Sequence, residues 1–80
     1  MNVRVLLFAS AADAAGRSEV NLDLPDGARV SDLLAELSRL VHGRALASRP
    51  MVAVNARYAA PDTVLAAGDE VAVIPPVAGG

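Results

Sequence analysis

The chain opens on a two-residue alternation that places Val3, Val5 and Leu7 on one side of an extended backbone and Arg4, Leu6 and Phe8 on the other. Residues 9–17 are small, alanine-rich and closed by Gly16, and are expected to form a loop carrying at most one helical turn. Glu19-Val20-Asn21-Leu22-Asp23-Leu24 then alternates polar and apolar with period two, as a strand with one wet face does. Pro25-Asp26-Gly27 signals a turn. Leu33, Leu34, Leu37, Leu40 and Val41 recur at helical spacing after Ser31-Asp32. A serine cap and an acidic first turn suit the start of that helix, Gly43 its end, and residues 44–48 a short second helical segment stopped by Pro50. Met51-Val52-Ala53-Val54 reads as a strand, Asn55-Ala56 as a tight turn and Arg57-Tyr58 as a short return. Beyond Leu65, an expected anchor, Gly68-Asp69 turns the chain into a last strand, Glu70-Val71-Ala72-Val73-Ile74.

Strand, strand, helix, strand, short strand, strand fits an α+β domain with one main helix packed on one face of a mixed sheet. A right-handed crossover lets the last strand run parallel to the first at the sheet centre. Parity then puts Val71 and Val73 under the helix with Val3, Val5 and Leu7, and turns Ala72 and Ile74 to the opposite face with Leu6 and Phe8. Nothing in so short a chain is left to cover that second face. Phe8 and Ile74, extended by Tyr58, are therefore candidate partner-binding residues.

Composition narrows the function classes. Eighty residues make one domain, with little room for a deep catalytic cavity. With 54% hydrophobic and 20% charged residues the chain belongs with folded globular proteins. A net charge of −2 disfavours nucleic acid and anionic membranes as partners, and no apolar run reaches membrane-spanning length. The amino-terminal residues enter a strand pattern at once, leaving no space for a signal peptide, so a cytoplasmic location is the default. Cysteine is absent, which excludes thiolate nucleophiles and thiolate metal sites. The single imidazole, His42, stands just before Gly43, where it suits a helix end better than a metal. Every basic side chain is arginine, so no lysine is present for a Schiff base or for isopeptide linkage between copies. No metal site is expected.

The chemistry is concentrated in the last six residues, Pro75-Pro76-Val77-Ala78-Gly79-Gly80. Proline cannot continue a central ladder, so Pro75 and Pro76 are expected to stop the last strand and send residues 75–80 out as an extended tail from a domain spanning 1–74. Gly79 and Gly80 lack side chains and suit a channel too narrow for larger residues. Six extended residues reach on the order of 20 Å. The expected reactive group is the carboxylate of Gly80, presented to the active sites of other proteins.

These residues carry a family resemblance. Val52-Ala53-Val54-Asn55, Leu65, Gly68-Asp69-Glu70-Val71-Ala72 and Pro75-Pro76-Val77 closing on Gly79-Gly80 strongly resemble the small, sulfur-carrying subunits of molybdopterin synthase, in the MoaD/ThiS group of ubiquitin-like β-grasp proteins. Phe8-Ala9, Gly16 and Val30-Ser31-Asp32-Leu33-Leu34 match the same pattern. The resemblance implies a β-grasp fold with no permanently bound cofactor. It implies that an adenylating enzyme uses ATP to form an acyl-adenylate at Gly80, and that a sulfurtransferase then supplies persulfide sulfur to make a thiocarboxylate. Residues 75–80 then insert into the large catalytic subunit of the synthase, where sulfur passes to cyclic pyranopterin monophosphate. The chain alone is not implied to be an enzyme.

Three departures stand out: Val73 where many relatives carry an aromatic, Ala78 where they carry serine or threonine, and Ala12-Asp13 in place of an Arg-Glu pair. The last removes a cation that could touch a partner. A sulfur carrier for thiazole or cysteine synthesis, or a ubiquitin-like modifier joined to lysines of targets through Gly80, would use the same terminus. A binding module using only the Phe8/Ile74 patch would not need it.

Overall fold

Burial follows strand parity. The computed structural model describes residues 1–40 and 50–74, and in it Val3, Val5 and Leu7 of strand β1 (Asn2–Leu7) are buried while Asn2 and Arg4 on the other face are exposed and Leu6 is half-buried. Strand β2 (Glu19–Asp23) buries Val20 and Leu22 and exposes Glu19, Asn21 and Asp23, as its alternation predicts. Between them lies helix α1 (Ala9–Ala15).

That helix corrects the loop expected there. Alanine is the strongest helix former, and Gly16 closes the segment in the left-handed region at φ 73°. The Gly16 and Arg17 amides both donate to the Ala12 carbonyl, at 2.9 and 3.2 Å, so the last turn is satisfied despite its shortness. Ala11 is buried in the core, and Ala12 and Ala15 pack against it.

Helix α2 (Val30–Leu40) starts one residue before the serine expected to cap it. The Arg29 carbonyl accepts the first helical bond, from the Leu33 amide at 3.1 Å, which makes Arg29 the cap residue. Asp32 reaches back to the Arg29 amide at 2.8 Å, the acidic half of a capping box. The free Val30 and Ser31 amides donate to the Thr63 and Pro61 carbonyls at 3.0 and 2.9 Å. A distant loop thus satisfies the first amides of the helix, and Ser31 lies inside its first turn. Val30, Leu33 and Leu37 are buried, each contributing about 1.5–3 kcal/mol. The stripe is narrower than expected, because Leu34 is only partly buried and Leu40 is 48% exposed. The helix end expected at Val41, His42 and Gly43 and the short segment expected at residues 44–48 lie outside the described residues.

Strands β3 (Met51–Val54), β4 (Arg57–Tyr58) and β5 (Glu70–Ile74) complete one sheet in the order β2-β1-β5-β3-β4. β5 lies at its centre, parallel to β1 and antiparallel to β3. Asn55 and Ala56 both have positive φ, 50° and 70°, as the tight β3–β4 turn requires. Val71, Val73 and Val52 face α2 with the β1 core residues, and Leu65 is buried under the connection, as expected of an anchor.

Candidate docking face

The face turned away from α2 is built row by row by the register. Leu6, Ala72, Ala53 and Tyr58 lie side by side across β1, β5, β3 and β4. Ile74 stands opposite Met51 in the next row. The Phe8 amide donates to the Val73 carbonyl at 3.3 Å, which holds Phe8 at the end of β1 beside Ile74. The structure therefore brings Phe8, Ile74 and Tyr58 to one face, with Leu6 and Ala72 between them.

Phe8 is 47% exposed and Tyr58 74%, while Ile74 is partly buried by its neighbours. Met51, 45% exposed, belongs to the same surface and was not singled out from the sequence. Its signal was available, since Val52 faces the core and its neighbour must face away. Together these exposed apolar side chains make this face the candidate docking surface.

At the other end of the face, Arg4 sits between Glu19 and Glu70, at 2.9 and 3.4 Å. The hydrogen bond and charge of Glu19 hold the guanidinium above its ordinary pKa, with Glu70 adding to the effect. Both pairs are exposed, so they orient side chains more than they stabilise the fold. The face is thus apolar where β5 ends and charged where it begins.

The strand leading to the terminus is fixed at its base. Asn55 donates from Nδ2 to Asp69 Oδ1 at 2.9 Å and accepts the Glu70 amide on Oδ1 at 3.0 Å, while Asp69 Oδ2 accepts the Ala66 amide at 2.8 Å. These bonds join the β3–β4 turn to the turn before β5. Among the described residues no side chain is both polar and buried, and no three His, Asp or Glu side chains are grouped to hold a metal. The remaining site residues, Pro75, Pro76, Val77, Ala78, Gly79 and Gly80, lie outside the described residues.

The ThiS family model matches residues 5–80. The chain belongs to the ThiS family. It is 39% identical to the molybdopterin synthase sulfur carrier subunit of Chlamydomonas reinhardtii, over the whole of both chains. It is 31% identical to the protein of the same name from Arabidopsis thaliana, covering all of this chain and 84% of that one. Among solved structures, SAMP1 from Haloferax volcanii superposes with a TM-score of 0.84 at 32% identity, over the full length of both chains. The fold of this ThiS-family chain is the ubiquitin-like β-grasp, with α1 as a second helix beside the main one. Among the described residues no helix is long and apolar enough to cross a membrane.

Proposed function

We propose that this chain is the sulfur-carrying small subunit of a molybdopterin synthase, acting through the terminal carboxylate of Gly80. The observation that carries the reading is convergence: the apolar row of Phe8, Ile74 and Met51 lies where β5 ends, one residue before Pro75 and the Gly-Gly terminus. A partner that docks on this face is well placed to receive the terminus. The two sulfur-carrier relatives, aligned over the whole of this chain, support the reading, and their name makes each one part of a larger synthase.

The chemistry follows from the weakness of a carboxylate as an electrophile. An adenylating partner transfers AMP from ATP to the Gly80 carboxylate, releasing pyrophosphate and giving the acyl carbon a good leaving group. The outer sulfur of a sulfurtransferase persulfide attacks the acyl carbon and expels AMP, giving an acyl disulfide; a second thiol then cleaves its S–S bond, is oxidised to a disulfide with the sulfurtransferase cysteine, and releases the terminus as a thiocarboxylate. The large catalytic subunit then receives residues 75–80, and sulfur passes to cyclic pyranopterin monophosphate. In this scheme the folded domain supplies recognition, and the large subunit surrounds the reacting atoms. Sulfur carriage for thiazole or cysteine synthesis differs only in the acceptor. The modifier function belongs to the name of the archaeal neighbour, and the full-length relatives favour sulfur carriage over it.

Reconstitution with the activating enzyme, a sulfur source and the large subunit tests the reading. A variant lacking Gly80 should form no molybdopterin while its thermal unfolding stays where the parent's is. Product formation by that variant would overturn the proposal.

A further inference from the structure

The turn between β2 and α2 holds an aspartate whose neighbouring amide is left open. Of the six aspartates in the chain, Asp13 lies inside α1, and four others precede an amide that is already bonded. The Leu24 amide after Asp23 donates to the Met1 carbonyl at 2.8 Å, and the Leu33 amide after Asp32 to the Arg29 carbonyl at 3.1 Å. The Thr63 amide after Asp62 donates to the Ala60 carbonyl at 3.0 Å, and the Glu70 amide after Asp69 to Asn55 Oδ1 at 3.0 Å. Asp26 is the sixth. It stands in the turn Pro25-Asp26-Gly27-Ala28, closed by a bond from the Ala28 amide to the Pro25 carbonyl at 3.1 Å. Asp26 and Gly27 are both exposed. Among the described residues the Asp26 carboxyl has no hydrogen-bond or ion-pair partner, and the Gly27 amide donates to no acceptor. An open hollow of about 510 Å³ separates this turn from Ala35 and Arg39 of α2 and leaves it room to deform.

We propose that Asp26 is a site of spontaneous modification, isomerising through a cyclic imide formed with Gly27. The Gly27 nitrogen attacks the side-chain carbonyl carbon of Asp26 in its protonated form. An N–C bond forms, the C–OH bond breaks, and the hydroxyl leaves as water with the amide proton. Water then adds to one of the two carbonyls of the ring. Opening at the side-chain carbonyl restores aspartate; opening at the main-chain carbonyl leaves the chain running through the side chain, as an isoaspartyl residue with a free α-carboxylate. Water is released and taken up again, so mass is unchanged and no other reactant is needed. Glycine favours the attack because no side chain stands beside the nitrogen and its backbone rotates freely, here already at a positive φ of 83°. The freed α-carboxylate is the substrate class of a carboxyl methyltransferase that uses a sulfonium methyl donor.

The product bears on the fold through what hangs on this turn. An isoaspartyl residue adds a methylene to the main chain between Pro25 and Ala28. Ala28 is buried, and its carbonyl accepts the Leu65 amide at 2.8 Å. Displacing Ala28 therefore loosens two backbone bonds together, the one that closes the turn and the one that holds the Leu65 anchor. The turn follows β2 at the end of the sheet where β1 begins, the opposite end from Phe8. Modification there weakens the domain without touching the face beside the terminus.

The test ages the full chain for weeks in warm neutral buffer, cleaves it after arginine and reads the peptide of residues 18–29 by electron-transfer fragmentation. That peptide carries Asp23 as an internal control. Isoaspartate should accumulate at position 26 and not at 23, with a matching rise in methyl groups accepted from labelled S-adenosylmethionine in the presence of a purified isoaspartyl methyltransferase. The isomer, separated by chromatography, should melt at least about 4 °C below the unaged chain. Asp26→Glu keeps the charge but places the carboxyl one carbon further from the Gly27 nitrogen; it should accumulate no isomer and melt with the unaged parent. An unchanged residue 26 while a blocked Pro-Asp-Gly-Ala peptide isomerises alongside would overturn the proposal. So would equal isomer at Asp23, or a separated isomer that melts with the parent.

Discussion

Replacing Phe8 by arginine separates binding from folding on the apolar face. A phenylalanine presents about 200 Å² of surface, so a side chain left 47% exposed offers a partner about 95 Å². At about 25 cal/mol per Å² its cover is worth about 2.4 kcal/mol, close to fifty-fold in affinity. A guanidinium at the same place must also be desolvated without a carboxylate prepared for it, which adds to the loss. Folding should suffer far less. Phe8 follows the last residue of β1, contributes its backbone to the bond with Val73, and has an arginine stem available to cover the apolar surface its ring leaves. Calorimetric titration against the large subunit should show at least about a thirty-fold weaker complex, with urea unfolding shifted by less than about 1 kcal/mol. Affinity within about three-fold of the parent would remove Phe8 from the docking face, and a loss of stability above about 2 kcal/mol would make it a core residue.

Three further substitutions probe how β5 and its surroundings are held. Asp69→Ala removes the bonds to Asn55 and Ala66 and should cost about 1–2 kcal/mol in urea unfolding, while an unchanged midpoint would show that the clamp is idle. Ala56→Gly relieves a left-handed alanine in the β3–β4 turn and should raise stability by about 0.5–1 kcal/mol; lower thermal stability would contradict the strain inferred from its φ of 70°. Leu37→Ala empties the centre of the α2 stripe and should cost about 2–5 kcal/mol, and a loss below about 1 kcal/mol would place Leu37 outside the core.

Strand parity made most of the fold legible. A period of two leaves one choice of face once a single core residue is known, so Val3, Val5, Leu7, Val71 and Val73 fell inside together and Phe8 and Ile74 fell on the other face. Two features depended on contacts that periodicity does not carry. Helix α1 is seven residues long and built mainly of alanine, so it has no strong apolar stripe to read, and its last turn is secured by Gly16. The cap of α2 lies at Arg29 rather than Ser31 because the carbonyls of Thr63 and Pro61, thirty residues downstream, take the Val30 and Ser31 amides and so let the helix start ahead of the serine. Leu40 matched the helical spacing of Leu33 and Leu37 yet stays half exposed, beside the hollow it shares with Val20. The docking face was legible as Phe8, Ile74 and Tyr58, whereas Met51, which the same parity carries, joins it opposite Ile74 in the register.

Intact-mass analysis of the full chain after incubation with its activating enzyme, ATP, a persulfide donor and a thiol reductant tests the central claim most directly. Replacement of one oxygen by sulfur, localised by fragmentation to Gly80 and absent when ATP is withheld, is the predicted result. An unmodified terminus under conditions that charge an established sulfur carrier, or sulfur found elsewhere on the chain, would contradict it.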